Sequence, residues 1–411
     1  MKRLISILFL FTLVFYSGIC AAADVDIKTQ MGFNYDWWDD SKDNKARQFF
    51  IPMSLEARYR DLSFRVLTAE AYTHIDPVGS PSRSLTHLLD TKVNLSYEIL
   101  GKLPVDILIG LDFNLPAGKS NLKERDQVLL MDPDLVTITN FGEGFNVNPT
   151  VSIAKEWGNW VVGVGFGYVW RGEYDFRNKV FEWTHDMGPI AGSQSFYTKD
   201  YNPGDILNAN AEVRYYFSPN WNARFFGLYT WYTKDKVDSL KFYQEGDFLL
   251  LGLGLYYNQK KWDAGFTLRS IFRDKSKFKE EVPAAYASPS ELYARWRSLP
   301  LSTEDQNSHG DEWVADLSLR YFLNDKTTIK SFLQGLLITK NDYPSNSPRF
   351  IGQREKISLG LGLQRKLFSY FEGEFYAKGF LMHDEETNFP QFRSERSYRG
   401  FSAGLQLISR F

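Results

Sequence analysis

Four acids, Glu124, Asp126, Asp132 and Asp134, crowd one stretch of the chain, while five histidines, His74, His87, His185, His309 and His383, are scattered along it. These residue types build hydrolytic and metal sites. A nucleophile needs its base within hydrogen-bond reach, yet no serine and histidine occupy neighbouring strand positions facing one way. The spacing of histidines and acids matches no metal-ligand pattern, and LPAGKS, residues 115–120, lacks the upstream glycine of a phosphate-binding loop. Divalent-ion ligation by Asp132 and Asp134 competes with the plainer reading of solvated surface carboxylates. The chain is therefore expected to be no enzyme, with no catalytic residue, metal site or cofactor. Acids and cations that face a solute are the remaining chemistry.

The elements that must position those charges show in a two-residue alternation. Residues 212–232, EVRYYFSPNWNARFFGLYTWY, place Val213, Tyr215, Phe217, Trp221, Phe225, Tyr229 and Trp231 at odd positions and Glu212, Arg214, Asn222 and Arg224 at even ones. Strands with one apolar and one polar face alternate in this way. Residues 48–59, 90–99, 160–171, 313–321 and 371–381 repeat the pattern, and it blurs over 62–72 and 327–339. There a register slip of one residue would invert every facing.

Residues 1–23 carry Lys2 and Arg3, an apolar run over 5–16, and small residues at Ala21 and Ala23. This is the form of a secretory signal peptide cleaved before Asp24, leaving residues 24–411 as one domain. Cys20 is the single cysteine, so the mature chain is expected to have no thiol. Aromatics make up 16% of residues although 24% are charged, and the formal net charge of -2 argues against nucleic acid as a partner. No later run approaches the roughly 18 apolar residues of a membrane helix. The other spanning solution is a closed β-barrel, in which backbone donors and acceptors pair between strands.

Short turns are read at 60–61, 100–102, 158–159, 218–220, 259–261, 324–325 and 368–369. Longer polar connections lie near 38–46, 74–84, 115–143, 174–203, 233–242, 273–310, 341–352 and 385–395. Their alternation predicts an all-β, antiparallel up-and-down transmembrane barrel of about 16 strands, with short periplasmic turns and long extracellular loops. Aromatics at both strand ends would sit at the two headgroup levels.

The chain ends FSAGLQLISRF, with Phe401, Ala403, Leu405, Leu407 and Phe411 in alternate register. This is similar to the C-terminal signal of bacterial outer-membrane barrels, and the resemblance implies that Phe411 is read by the barrel-assembly machinery. The strand count resembles general porins and small-solute transporter barrels. LPAGKS at 115–120 and FGEGFNVNP at 141–149 give a looser likeness to outer-membrane transporters encoded with aromatic-degradation genes. Together these imply a Gram-negative outer-membrane location, contact with outer-membrane lipid, small-molecule solutes and, through the porin likeness, a homotrimer.

The same porin likeness assigns 115–143, the third external loop, to an inward fold that constricts the pore. Its apolar residues, Val128, Leu129, Leu130, Met131, Leu135, Val136 and Ile138, are too many for a loop that meets only water, although an external cap would also bury them. Glu124, Asp126, Asp132 and Asp134 would then line the constriction, with Lys92, Arg171 and Arg269 facing solute. Glu56, Arg58, Glu98, Asp106, Glu212, Arg214, Arg224, Asp316 and Arg320 would ring the periplasmic mouth as mutually paired charges. A second loop, 273–310, carries Tyr286, Leu292, Tyr293 and Trp296. Glycines at 163, 165, 167, 252, 254, 360 and 362 either ease strand curvature or make room in the lumen. The function expected is a channel for diffusion or facilitated uptake of small solutes. A sheath around a multihaem cytochrome, or a gated transporter of hydrophobic or aromatic compounds, stands beside it.

Overall fold

The computed structural model describes residues 25–175, 201–237, 239–279, 298–389 and 392–411, and of Glu124 and Arg125 the backbone alone. The expected signal peptide, His185 and the loop residues Tyr286, Leu292, Tyr293 and Trp296 lie outside the described residues.

In chain order the strands begin with β1 (Val25–Asp40), β2 (Lys45–Tyr59), β3 (Leu62–Asp76), β4 (Arg83–Leu88), β5 (Thr91–Ile99), β6 (Asp106–Leu115), β7 (Asn146–Trp157) and β8 (Trp160–Arg171). They continue with β9 (Tyr201–Asn202), β10 (Ile206–Tyr216), β11 (Trp221–Tyr232), β12 (Asp235–Val237), β13 (Leu240–Gln244), β14 (Phe248–Asn258) and β15 (Trp262–Arg273). The last are β16 (Lys277–Lys279), β17 (Leu301–Thr303), β18 (Glu312–Asn324), β19 (Thr327–Ile338), β20 (Arg354–Phe368), β21 (Phe371–Asp384) and β22 (Arg396–Arg410). A 3-10 turn, Glu124–Leu129, sits between β6 and β7.

Seventeen strands form one antiparallel sheet. β4 and β5 both pair with β3 and make a single broken stave, so the wall has 16 staves. β1 pairs with β22 from Lys28↔Arg410 to Asp40↔Tyr398, which closes the barrel. Phe411 completes the seam: its N–H donates to Ile27 O at 2.9 Å and its carbonyl accepts from Ile27 N at 3.1 Å. Both blurred stretches are strands in unbroken register, Leu62–Asp76 and Thr327–Ile338. The connection expected over 38–46 is instead a four-residue turn, 41–44: Asp40 accepts the Lys42 and Asn44 N–H groups at 2.9 Å, and Asp43 takes φ 66°.

Facing follows parity. Leu253 is 54% exposed between Gly252 and Gly254, which are buried on the other face, and Phe166 is 57% exposed between the inward Gly165 and Gly167. Such a continuous apolar exterior suits acyl chains, not water. Rings line the short-turn rim from stave to stave, Trp160 with Tyr215 at 4.4 Å, Trp221 with Tyr257 at 4.7 Å and Tyr257 with Trp262 at 4.8 Å. At the opposite rim Tyr229 meets Trp231 at 4.4 Å.

Several inward glycines are covered by rings, whereas Gly163 faces open space, with Ile153 O at 3.8 Å its nearest neighbour. A Cβ at Gly252 would stand 2.1 Å from the Phe226 ring, and one at Gly360 would stand 2.0 Å from the Phe332 ring. Tyr376 likewise lies over Gly404 and Phe380 over Gly400. The room these glycines make is thus taken by rings from neighbouring strands, which gives part of the lumen wall an aromatic surface.

β17, β16, β13, β12 and β9 form a second, five-stranded sheet from three of the long connections. The Asp235 carboxylate anchors it by accepting the Gly204 N–H and the Tyr201 hydroxyl, both at 2.7 Å. Burial raises the Asp235 pKa, and those two hydrogen bonds oppose the rise. A carboxyl raised on folding holds its proton more tightly in the folded loops. Its stabilising contribution is present below the ordinary carboxylate pKa and is lost as pH rises through the folded value.

Two outcomes test this fold. Leu253→Arg should destabilise the barrel by about 2–4 kcal/mol in bilayer unfolding titrations, whereas Leu250→Arg, on the inward face of β14, should cost less. Asp235→Asn should flatten the pH dependence of hydrogen-exchange protection at the Gly204 amide across the acid range.

Candidate functional site: an inward-folded loop against the barrel wall

The connection 116–145 turns into the barrel. Its two arms meet where Lys119 N donates to Phe141 O at 2.8 Å. Its base is tied by Asp90, at the break between β4 and β5, which accepts Gly118 N at 2.8 Å, Glu143 N at 2.8 Å and Asn114 Nδ2 at 2.7 Å. Breaking the stave there frees the Asp90 carboxylate to organise the loop's ends.

The tip reaches inward-facing residues of distant strands. Thr137 N donates to Asp36 at 2.9 Å, Ile138 N donates to Gln48 Oε1 at 2.7 Å, and Gln48 Nε2 returns a bond to Ile138 O at 2.8 Å. Gln48 is fully buried and also donates to Thr73 Oγ1. Leu129, Leu135, Val136 and Phe141 pack with Trp38, Ile75, Phe380, Met382 and Tyr398 of the wall in one hydrophobic cluster. An external cap would not touch these lumenal residues, so the apolar loop residues are explained by an inward fold. Burying side chains such as Leu129 and Phe141 contributes on the order of 1.5–3 kcal/mol each.

Charge fixes the same loop. The Arg354 guanidinium lies 2.7 Å from Asp132, 2.8 Å from Asp134 and 2.7 Å from Asp384. Lys356, two residues along β20 on the same face, lies 3.7 Å from Asp134 Oδ1, donates to the Asp134 carbonyl, and sits 4.9 Å from the Phe380 ring centre. Asp132 and Asp134 are therefore neutralised against the wall rather than presented bare to a solute. Asp126 lies half-buried in the 3-10 turn. Glu124 opens that turn, and its side chain is outside the description.

The remaining charges are dispersed around the wall. Arg269 faces Asp316 at 3.9 Å, and Asp316, which also accepts from Gln334 at 2.7 Å, lies mid-strand rather than at the periplasmic mouth. Arg171 closes β8, its side chain donating to Gly204 O at 3.3 Å. Towards the short turns, Arg58 meets Glu98 at 2.6 Å, Glu56 meets Lys28 at 3.8 Å, and Glu212 bridges Arg214 at 3.1 Å and Arg224 at 2.6 Å. Arg320 meets Asp263 at 2.7 Å, and Asp106 accepts the Gly101 N–H within its turn. Lys92 lies on β5 and faces inward beside the loop. Sequence reasoning missed Arg354, Lys356, Asp36, Gln48 and Asp90. Parity alone places the first four in the lumen, but nothing local marks them as partners of a loop up to 222 residues away.

Over residues 68–275 the chain matches the model of the family described as "Putative MetA-pathway of phenol degradation". The chain belongs to that family. The match takes in the whole inward loop and its Asp90 anchor. No curated protein matches the chain significantly. Among solved structures it is similar to in-vitro folded OmpT, an outer membrane protein of Vibrio cholerae, at 11% identity over 94% of this chain and 97% of that one, with a TM-score of 0.42. The P. putida toluene transporter TodX is 9% identical over 95% of this chain and 91% of its own, with a TM-score of 0.39. The CymD monoaromatic hydrocarbon channel is 10% identical over 94% and 88%, with a TM-score of 0.43. At these distances no residue role passes from those proteins to this one.

Arg354→Met strands Asp132 and Asp384 and leaves Asp134 with Lys356 alone, and breaking a buried ion pair from one side costs about 3–5 kcal/mol. Tryptic cleavage after Lys123 or Arg125 should rise at least tenfold in this variant while the barrel keeps its heat-modifiable mobility. Asp134→Asn, which leaves Asp132 and Asp384 on the arginine, should give a smaller rise.

Proposed function

We propose that this protein is an outer-membrane channel for small solutes, constricted by the inward-folded loop 116–145. The observation that carries the reading is the attachment of that loop to the inner wall of a closed barrel through Asp36, Gln48, Arg354 and Lys356. A 16-stave barrel is wide enough to leave an aqueous passage, and a loop laid across its inside narrows that passage without sealing the wall. The cations and acids that meet at the described lumenal surface are largely paired with one another, so the channel discriminates weakly between ions of either sign.

Aromatic compounds are the first solute class to test. The family description names phenol degradation, and inward rings such as Phe226, Phe332 and Tyr376 offer apolar contact beside hydrogen-bonding groups. The same observations favour a transporter of aromatic compounds over a sheath for a multihaem cytochrome, because a sheath must keep its lumen clear for the partner and this barrel places its own loop there.

The deciding measurement is planar-bilayer conductance of the refolded protein with and without residues 120–138. That deletion spares the Asp90 anchor and leaves two arms that already meet at Lys119 and Phe141. A stable conductance that rises on deletion is the expected result. Silence in both forms would count against a channel.

A further inference from the structure

The lipid-facing wall changes chemistry near its long-loop rim across four adjacent staves, β22, β1, β2 and β3. Outward side chains there fall in register rows. The row nearest the bilayer centre is aromatic, with Tyr35, Phe49 and Tyr72 as successive partners from β1 to β3. Two residues higher the row reads Phe401, Trp37, Arg47 and His74, and the next reads Arg399, Asp39, Lys45 and Asp76. Neighbours in the chain fix these directions, since Trp38, Ala46, Ile75 and Tyr398 point inward to the loop cluster.

The acids of this patch are already occupied. Asp39, whose side chain is 12% exposed, accepts two bonds from Arg399 at 2.7 and 2.8 Å, and Arg399 stays 69% exposed beyond it. Asp76 meets His74 at 3.0 Å. Lys45 and Arg47 are both exposed, and among the described residues neither has a salt-bridge partner. Three exposed cations thus stand within two strand spacings, about 10 Å of wall.

Across the barrel the same rim has the opposite sign. On β10, β14, β15 and β18 the outward parity of Leu207, Leu249, Phe272 and Trp313 runs on into Asp205, Asp247, Asp274 and Asp311. Tyr168, itself outward, donates to Asp205 at 2.6 Å, which confirms the facing. A rim that is basic on one side and acidic on the other attracts an anionic headgroup to the basic side alone.

We propose that the β22–β1–β2–β3 face is a docking site for a lipopolysaccharide molecule of the outer leaflet, held through the phosphates of its lipid A headgroup. Arg47, Lys45 and Arg399 contact the phosphates, and the guanidinium groups offer the paired donors that phosphate oxygens match. Asp39 holds Arg399 in place from behind. Tyr35, Phe49, Tyr72 and Phe401 lie beneath the headgroup, at the level aromatic rings favour in a bilayer. A broad cationic row above an aromatic one fits a diphosphorylated, many-chained lipid better than a phospholipid with a single phosphate. The proposal rests on the outer-membrane location and is independent of the channel reading.

The experiment is native mass spectrometry of the purified protein titrated with lipid A, with dephosphorylated lipid A and with phosphatidylglycerol. Lipid A should fill a single tight site, and the other two lipids should bind at least tenfold more weakly. Lys45→Gln combined with Arg47→Gln breaks no ion pair of the described residues. It should lower lipid A affinity at least tenfold with heat-modifiable mobility unchanged. The charge-matched pair Arg60→Gln and Lys260→Gln, in exposed short turns at the periplasmic end, should leave that affinity as it was. Equal loss in both double variants, or loss in neither, would overturn the site. Dephosphorylated lipid A or phosphatidylglycerol binding as tightly as lipid A would overturn the headgroup assignment, as would displacement of bound lipid A by millimolar inorganic phosphate. The lipid comparison on the unaltered chain decides the assignment even where a variant folds poorly.

Discussion

Closure of the backbone hydrogen-bond ladder is the constraint on which everything else depends. In a bilayer an unpaired amide has no water to turn to, so the sheet must return to its own first strand. β1 does this by pairing with β2 on one side and β22 on the other, and the terminal residue extends the seam through two bonds to Ile27. Once the ladder is closed, strand parity is no longer free. Every second side chain faces lipid and the rest face the lumen, and a charge such as Glu212 or Arg354 has one direction available.

Lumenal charges then solve a second problem. A wall of bare carboxylates and guanidinium groups in a narrow space would be costly, and neighbours on the same face relieve it by pairing, as Glu212 does with Arg214 on its own strand and Arg224 on the next. The loop exploits the same rule. Asp132 and Asp134 bring acids to Arg354 and Lys356, and Leu135 and Val136 bring apolar surface to Phe380 and Met382. Neither set alone explains the attachment. Charge without burial would be screened, and burial without charge would leave Arg354 with a single partner, Asp384.

Inward glycines and inward aromatics belong to one device. A ring from an adjacent strand needs a flat landing place, and glycine supplies it, as Gly252 does for Phe226 and Gly360 for Phe332. Each pair covers a stretch of backbone that would otherwise be weakly packed and gives the lumen an apolar surface. That surface coexists with amide rows near Asn114 and Asn146, so the interior is neither uniformly polar nor uniformly greasy.

By itself the sequence determined the barrel, its facing and most of its turns, because parity and turn chemistry are local: Leu253 faces out, Gly252 faces in, and Gly158 with Asn159 makes a turn wherever the chain goes. It also marked the loop as unusual, since Val128 to Met131 are too apolar for water. Only the tertiary structure decided the loop's destination. Its partners Asp36, Gln48 and Arg354 come from opposite ends of the chain and are brought together by closure, which no short window contains. The same holds for the break between β4 and β5, where Asp90 trades a place in the ladder for three bonds to distant segments, and for the small loop sheet, whose strands are too short to show a period. Local alternation fixes which way a side chain points; only the closed ring fixes what it meets.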